Sequence, residues 1–145
     1  MRRHLRAAAA LVGALCCLLP AWTALAADPA APETAVKCAE CGMSAKVANR
    51  YTARIVRGAG TQYFCDIGDL AAFIERTHPQ DYLAAVHDFM SGEWISTAQA
   101  FFVIDKKTYL TPMGWGVAAF RERAAVAGAT LDFEALRQAL RQAPR

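Results

Sequence analysis

Several features that would settle a function are missing from this 145-residue sequence. It has no glycine-rich phosphate loop, no nucleophile elbow and no positioned pair of carboxylates, so no catalytic constellation emerges and an enzyme is not expected. It has a single Cys-x-x-Cys, Cys38 to Cys41, followed only by Cys65 and the scattered His78 and His87. Structural zinc usually asks for two such pairs, or one pair with closely spaced histidines. A persistent excess of one charge is also lacking. Arg2, Arg3 and Arg6 supply three of the 16 Lys and Arg, and none of the 13 Asp and Glu lies in residues 1–26. The remainder carries 13 of each sign, so the formal charge of +3 belongs to the N-terminal segment. Nothing argues for nucleic acid as a partner.

The first 26 residues read as a secretory signal peptide. A basic n-region precedes an apolar run over residues 7–20 and the small-x-small site Ala24-Leu25-Ala26. The run is shorter than the ~20 residues a spanning helix needs, and Pro20 interrupts it. The expected location is therefore the periplasm. Arg2-Arg3 leaves general secretory and twin-arginine export both open. Leu15 before Cys16-Cys17 stands where a lipid-attachment signal wants a small residue, so a lipid anchor is not supported. Residues 27–37, rich in Pro and Ala, read as a flexible tether, and residues 38–145 as one domain large enough to bury its own core.

Within that domain, residues 51–56 and 61–65 flank Gly58-Ala59-Gly60 and predict a β-hairpin. Asp66 is an N-cap candidate for a helix over 67–76, ended by His78-Pro79. Residues 82–90 favour a strand. Residues 100–104 form a short apolar strand, with 108–110 as its returning partner. A helix is expected over 115–126, closed by Gly128, and a last amphipathic helix capped by Thr130 or Asp132. Each half thus runs strand, strand, helix, and each helix contains Ala-Ala-Phe: Ala71-Ala72-Phe73 and Ala118-Ala119-Phe120. The identity is too brief to establish duplication. It predicts an α+β fold of two ββα(β)-type units with a C-terminal helix.

Chemistry concentrates at Cys38-Ala39-Glu40-Cys41-Gly42-Met43. Three thiols in an oxidising compartment leave at least one unpaired. A Cys38–Cys41 disulfide, a redox-active pair and structural zinc all remain open. Met43 tips the reading toward metal: a thioether two residues after a thiol, with Gly42 permitting tight curvature, gives two soft donors in one loop. Soft sulfur selects Cu(I) over harder cations. Met113, in the turn Thr111-Pro112-Met113-Gly114-Trp115-Gly116, is a candidate third sulfur or a gap filler beside Trp115. Cys65 reads as a buried small hydrophobe or a ligand, and His87 is a further ligand candidate.

Taken together, Cys38-Ala39-Glu40-Cys41-Gly42-Met43, Tyr63-Phe64-Cys65-Asp66-Ile67-Gly68-Asp69-Leu70, Trp94-Ile95-Ser96-Thr97-Ala98 and Thr111-Pro112-Met113-Gly114-Trp115-Gly116 resemble the NosL family, accessory proteins of nitrous-oxide reductase. The resemblance runs from about Cys38 to Ala127. It implies a periplasmic Cu(I) metallochaperone supplying the reductase's copper–sulfide centre, with two ββαβ-like units. By motif it places the metal on Cys41, Met43 and Met113, with Cys38 next; Cys65 has no counterpart it can assign. The expected partner is a copper-accepting enzyme or its maturation complex, with membrane association through that partner and a monomer or weak homodimer as the assembly. Two departures are weighed beside it: a copper carrier serving another enzyme, and a thiol–disulfide oxidoreductase acting through Cys38 and Cys41.

Overall fold

The structure, a computed structural model, describes residues 34–142; the export signal and the first part of the expected tether lie outside the described residues. The chain enters as strand β1 (Ala35–Lys37), which pairs antiparallel with β2 (Ser44–Lys46), Lys37 opposite Ser44. Residues 38–43 are therefore a hairpin loop. The last three residues of the expected tether are thus a strand, because Val36 packs against the core and β1 has a strand to pair with.

The expected hairpin forms as β3 (Ala53–Arg57) and β4 (Gly60–Phe64) around Gly58-Ala59, with Gly58 at φ +53° as a tight turn of this kind requires. Helix α1 (Ile67–Thr77) follows at once. Asp66 caps it, its Oδ1 accepting from the Gly68 N–H at 3.0 Å, and His78 ends it in a left-handed conformation. Strands β5 (Leu83–His87) and β6 (Trp94–Ser96) complete an antiparallel sheet of order β4-β3-β5-β6. Alternation along β3 and β5 turns Ala53, Ile55, Ala84 and Val86 inward. Helix α1 lies against β3 and β4, burying Ile67, Leu70, Phe73 and Ile74. Each such side chain contributes about 1.5–3 kcal/mol when fully removed from water.

The fold is α+β, as the sequence predicts, and the ββα order does occur twice. The second unit departs from expectation in detail. Strand β7 (Phe101–Ile104) pairs antiparallel not with residues 108–110 but with β8 (Val117–Phe120), and the helix expected over 115–126 is absent apart from a single 3₁₀ turn at Arg123–Ala125. Residues 105–108 are instead gathered by the Asp105 carboxylate, which accepts from the N–H groups of Lys107 and Thr108, and Leu110 is 80 % exposed. All four residues of β8 are buried. The second unit's helix is the C-terminal α2 (Phe133–Gln142), capped by Asp132, whose Oδ1 accepts from the Ala135 N–H at 2.8 Å. Gly128 closes no helix.

The Ala-Ala-Phe repetition is thus helical in α1 and extended in β8. The four-stranded sheet and the β7–β8 pair are joined where Phe89 N–H donates to Ala119 O at 2.7 Å and Arg121 N–H to Asp88 Oδ1 at 2.9 Å. Helix α2 packs on α1 and β7, sinking Leu136 and Leu140 into the shared core. Among the described residues no helix is long and apolar enough to cross a membrane.

Candidate metal centre

The β1–β2 loop is closed on itself by two backbone bonds, Cys38 N–H to Met43 O at 2.8 Å and Gly42 N–H to Cys38 O at 3.0 Å. Gly42 sits at φ +77°, a conformation that favours glycine. The loop then docks on the end of β4. Cys38 bridges Tyr63 in parallel, and Ala39 N–H donates to Tyr63 O at 2.8 Å. Glu40, its side chain largely covered, reaches the more exposed Arg76 of α1 at 2.6 Å.

This docking brings the loop's two thiols to the point where β4 passes into α1. Cys65 lies just before the cap Asp66, outside the helix, and Asp69 is in the helix's first turn. Cys38, Cys41, Cys65 and Asp69 converge so that one ligand atom from each lies within 4.8 Å of the others. Cys41 Sγ is 3.5 Å from Cys65 Sγ, and Asp69 Oδ2 accepts from Cys38 Sγ at 3.5 Å and Cys65 Sγ at 3.4 Å. All three cysteines are free thiols. Cys38, Cys65 and Asp69 are buried, while Cys41 is half-buried and Met43 is 46 % exposed, so the centre opens to solvent on the Cys41–Met43 side.

The surroundings are built to hold this arrangement. The other Asp69 oxygen, Oδ1, accepts from the Trp115 indole N–H at 3.0 Å. Asp66 uses Oδ2 to accept from the Met113 N–H at 3.0 Å, and Thr111, in contact with the same carboxylate, receives the Gly116 N–H on its hydroxyl at 3.1 Å. The first turn of α1 thereby anchors the whole 111–116 loop. Burial pushes the Asp66 carboxyl up, against the pull of bonds from Thr111, Gly68 and Met113. Burial likewise pushes up the Cys41 thiol, opposed by a hydrogen bond from the Met43 backbone, and the Cys65 thiol, where Cys41, Cys38 and Asp69 add to the effect. The positive end of α1 favours thiolate at this position, but burial outweighs it. A metal that binds Cys41 and Cys65 therefore displaces their protons.

The predicted site residues divide cleanly. Cys38, Cys41 and Cys65 are brought together, and Cys65 is a full member of the cluster rather than a filler. Met43 lies in the same loop. Met113 is held by its backbone at the Asp66 cap and packs partly buried against the core. His87 is not in the cluster: its Nδ1 faces Gly92 O and its Nε2 faces Val47 O, each at 2.7 Å, and its ring stacks on Trp94 with centroids 3.8 Å apart. Both nitrogens are engaged by backbone carbonyls, so His87 is a structural residue and not a ligand. Asp69 is the member that the sequence reading missed. Its signal was an aspartate in the first turn of a helix that starts directly after a cysteine.

No protein-family model and no curated protein matches this chain. The described residues nonetheless contain a cluster of three cysteines and an aspartate able to hold a metal ion.

Proposed function

We propose that this protein is an exported Cu(I) carrier that supplies copper to a recipient enzyme or its maturation complex in the periplasm. The observation that supports it is the convergence of three free thiols at a centre whose inner side is buried and whose outer side carries the half-buried Cys41 and the exposed Met43. Soft sulfur donors favour Cu(I). An exposed edge suits transfer, because an incoming ligand from the recipient can attack the metal at Cys41 while Cys38 and Cys65 still hold it. Protons displaced from the thiols on loading return to them on release. The NosL-like motifs make nitrous-oxide reductase the proposed recipient. They also make Met43, with Met113 on the adjoining loop, an auxiliary thioether donor for Cu(I).

Anaerobic titration of the reduced protein lacking residues 1–26, with a chromogenic Cu(I) chelator as competitor, tests this. One Cu(I) per chain is expected, with affinity falling at least tenfold in Cys41→Ser and in Cys65→Ser. Met43→Ala, at an exposed position, should leave stability within about 0.5 kcal/mol while weakening Cu(I) retention. Failure to take up Cu(I), or affinity unchanged in both cysteine variants, would overturn the proposal. For the reading as a thiol–disulfide oxidoreductase acting through Cys38 and Cys41, the thiol contact at 3.5 Å is of a different pair, Cys41 and Cys65. The raised thiols work against it, since an exchange catalyst needs a thiol lowered toward neutrality.

A further inference from the structure

We infer that the same centre also takes a tetrahedral divalent ion of the zinc class, with the Asp69 carboxylate as fourth ligand beside the thiolates of Cys38, Cys41 and Cys65. The inference rests on the metal-centre reading but not on copper. Zinc–sulfur bonds of about 2.3 Å and zinc–oxygen bonds of about 2.0–2.2 Å give a tetrahedron with edges of roughly 3.8 Å between sulfurs and roughly 3.5 Å from sulfur to oxygen. The centre already shows 3.5 Å between Cys41 and Cys65 Sγ, and 3.5 and 3.4 Å from Asp69 Oδ2 to Cys38 and Cys65 Sγ. No pair of the four donor atoms exceeds 4.8 Å, so closure onto an ion asks for movements of about 1 Å at most.

The carboxylate is what distinguishes this ion from Cu(I). A soft monovalent ion satisfied by two or three sulfurs has no need of a hard oxygen, whereas a borderline divalent ion accepts sulfur and oxygen together. Asp69 is also prepared as a ligand. It is fully buried, its Oδ2 is turned to the thiols, and its Oδ1 is held by the Trp115 indole, the kind of outer hydrogen bond that orients ligating carboxylates. A sequence search for zinc looks for a fourth cysteine or histidine. Here the fourth donor is a carboxylate that only the α1 geometry brings into place. As the ion binds, each thiol releases its proton to solvent and no redox change occurs.

The test uses the reduced protein lacking residues 1–26, with Co(II) as the optical probe and Zn(II) as the ion of interest. Expected are the intense visible bands of tetrahedral cobalt with thiolate-to-cobalt charge transfer, discharged by one equivalent of Zn(II). X-ray absorption of the zinc form should show three sulfurs and one oxygen at the distances above. Asp69→Asn, which keeps an oxygen for Trp115, should weaken Zn(II) by at least about tenfold. An octahedral cobalt spectrum, fewer than three sulfurs around zinc, or equal Zn(II) affinity in Asp69→Asn would overturn the inference. The absorption measurement needs no variant and decides the matter even if Asp69→Asn does not fold. Cu(I) uptake without Zn(II) uptake defeats this inference and leaves the carrier proposal standing; Zn(II) uptake without Cu(I) does the reverse.

Discussion

Replacing Gly68 by alanine sets two physical effects against each other, and their magnitudes decide the sign. Gly68 is the second residue of α1, and helix propensity alone says that alanine there stabilises by up to ~1 kcal/mol. The structure says the opposite. A Cβ at residue 68 would lie 2.0 Å from Trp115 Cγ, 2.3 Å from Cδ1 and 2.4 Å from Cδ2. These are contacts with a rigid, buried indole that has no free end to swing away. Overpacking of this kind costs about 1–3 kcal/mol. Displacing the indole also breaks its hydrogen bond to Asp69, worth about 1.5–3 kcal/mol for a carboxylate acceptor. Set against the propensity gain, the net is a loss of about 1.5–5 kcal/mol. At roughly 4 °C per kcal/mol for a domain of this size, Tm should fall by about 6–20 °C.

Urea and thermal unfolding, followed by tryptophan fluorescence and circular dichroism, measure it. The decisive control is the double variant Gly68→Ala/Trp115→Ala. With the indole gone, the three atoms nearest the added methyl are gone too, so Gly68→Ala should become neutral or stabilising in that background, a strong non-additivity. A Gly68→Ala protein more stable than the parent, or a penalty that persists without Trp115, would refute the packing of Trp115 on α1.

Three further outcomes follow from the same structure. Burial alone would raise the Asp88 carboxyl, but hydrogen bonds from the Ser91 hydroxyl and from the backbone of Arg121, Ser91 and Met90 hold it below its ordinary value. Its stabilisation is therefore full above about pH 4 and fades as pH falls through the depressed folded value; Asp88→Asn should cost about 1.5–3 kcal/mol at pH 7 and progressively less in acid, measured by urea unfolding across pH. His87→Ala should cost about 2–4 kcal/mol, because the ring N–H loses its place against the Gly92 or Val47 carbonyl and the Trp94 contact is lost, yet leave metal stoichiometry unchanged in the titration above. Treatment of the metal-free protein with a small-molecule disulfide should first join Cys41 to Cys65 and not Cys38 to Cys41, as peptide mapping of the alkylated product reads out.

The sequence disclosed what local chemistry decides. Gly58-Ala59 marks the β3–β4 turn, Asp66 and Asp132 mark helix starts, and His78-Pro79 marks a helix end, because each acts on its own neighbours. Residues 115–126 misled for the opposite reason. Val117-Ala118-Ala119-Phe120 is a continuous apolar run, and periodicity cannot separate a helix from a strand buried on both faces. Tertiary context decides it: Gly114 and Gly116 both have φ near +70°, and a side chain at 116 would meet the Lys106 backbone at 2.6–2.7 Å, so the chain arrives extended alongside β7. The metal centre was legible in part. The loop thiols and Met43 announce themselves as one motif. Cys65 becomes a partner only once the loop docks on β4, and His87 loses its candidacy only when the carbonyls of nearby Gly92 and distant Val47 are seen to face its ring.

The first turn of α1 does two jobs, and this couples stability to loading. Asp66 binds the loop that carries Met113, and Asp69 binds both the thiols and Trp115 of that same loop. An ion drawing on Cys65 and Asp69 therefore fixes the turn to which the second ββα unit is tied. Ligand binding stabilises the folded state by RT ln(1 + [L]/Kd), about 4 kcal/mol at a thousandfold excess over Kd. Cys38 and Cys65 belong to a core that extends well beyond them, through Phe64, Ile67, Leu70, Phe102 and Leu136, and a core of that extent lets the fold form without metal. Loading should thus raise the unfolding midpoint of an already folded domain. By reciprocity, substitutions that loosen Trp115 or the 111–116 loop should weaken metal binding without touching a ligand.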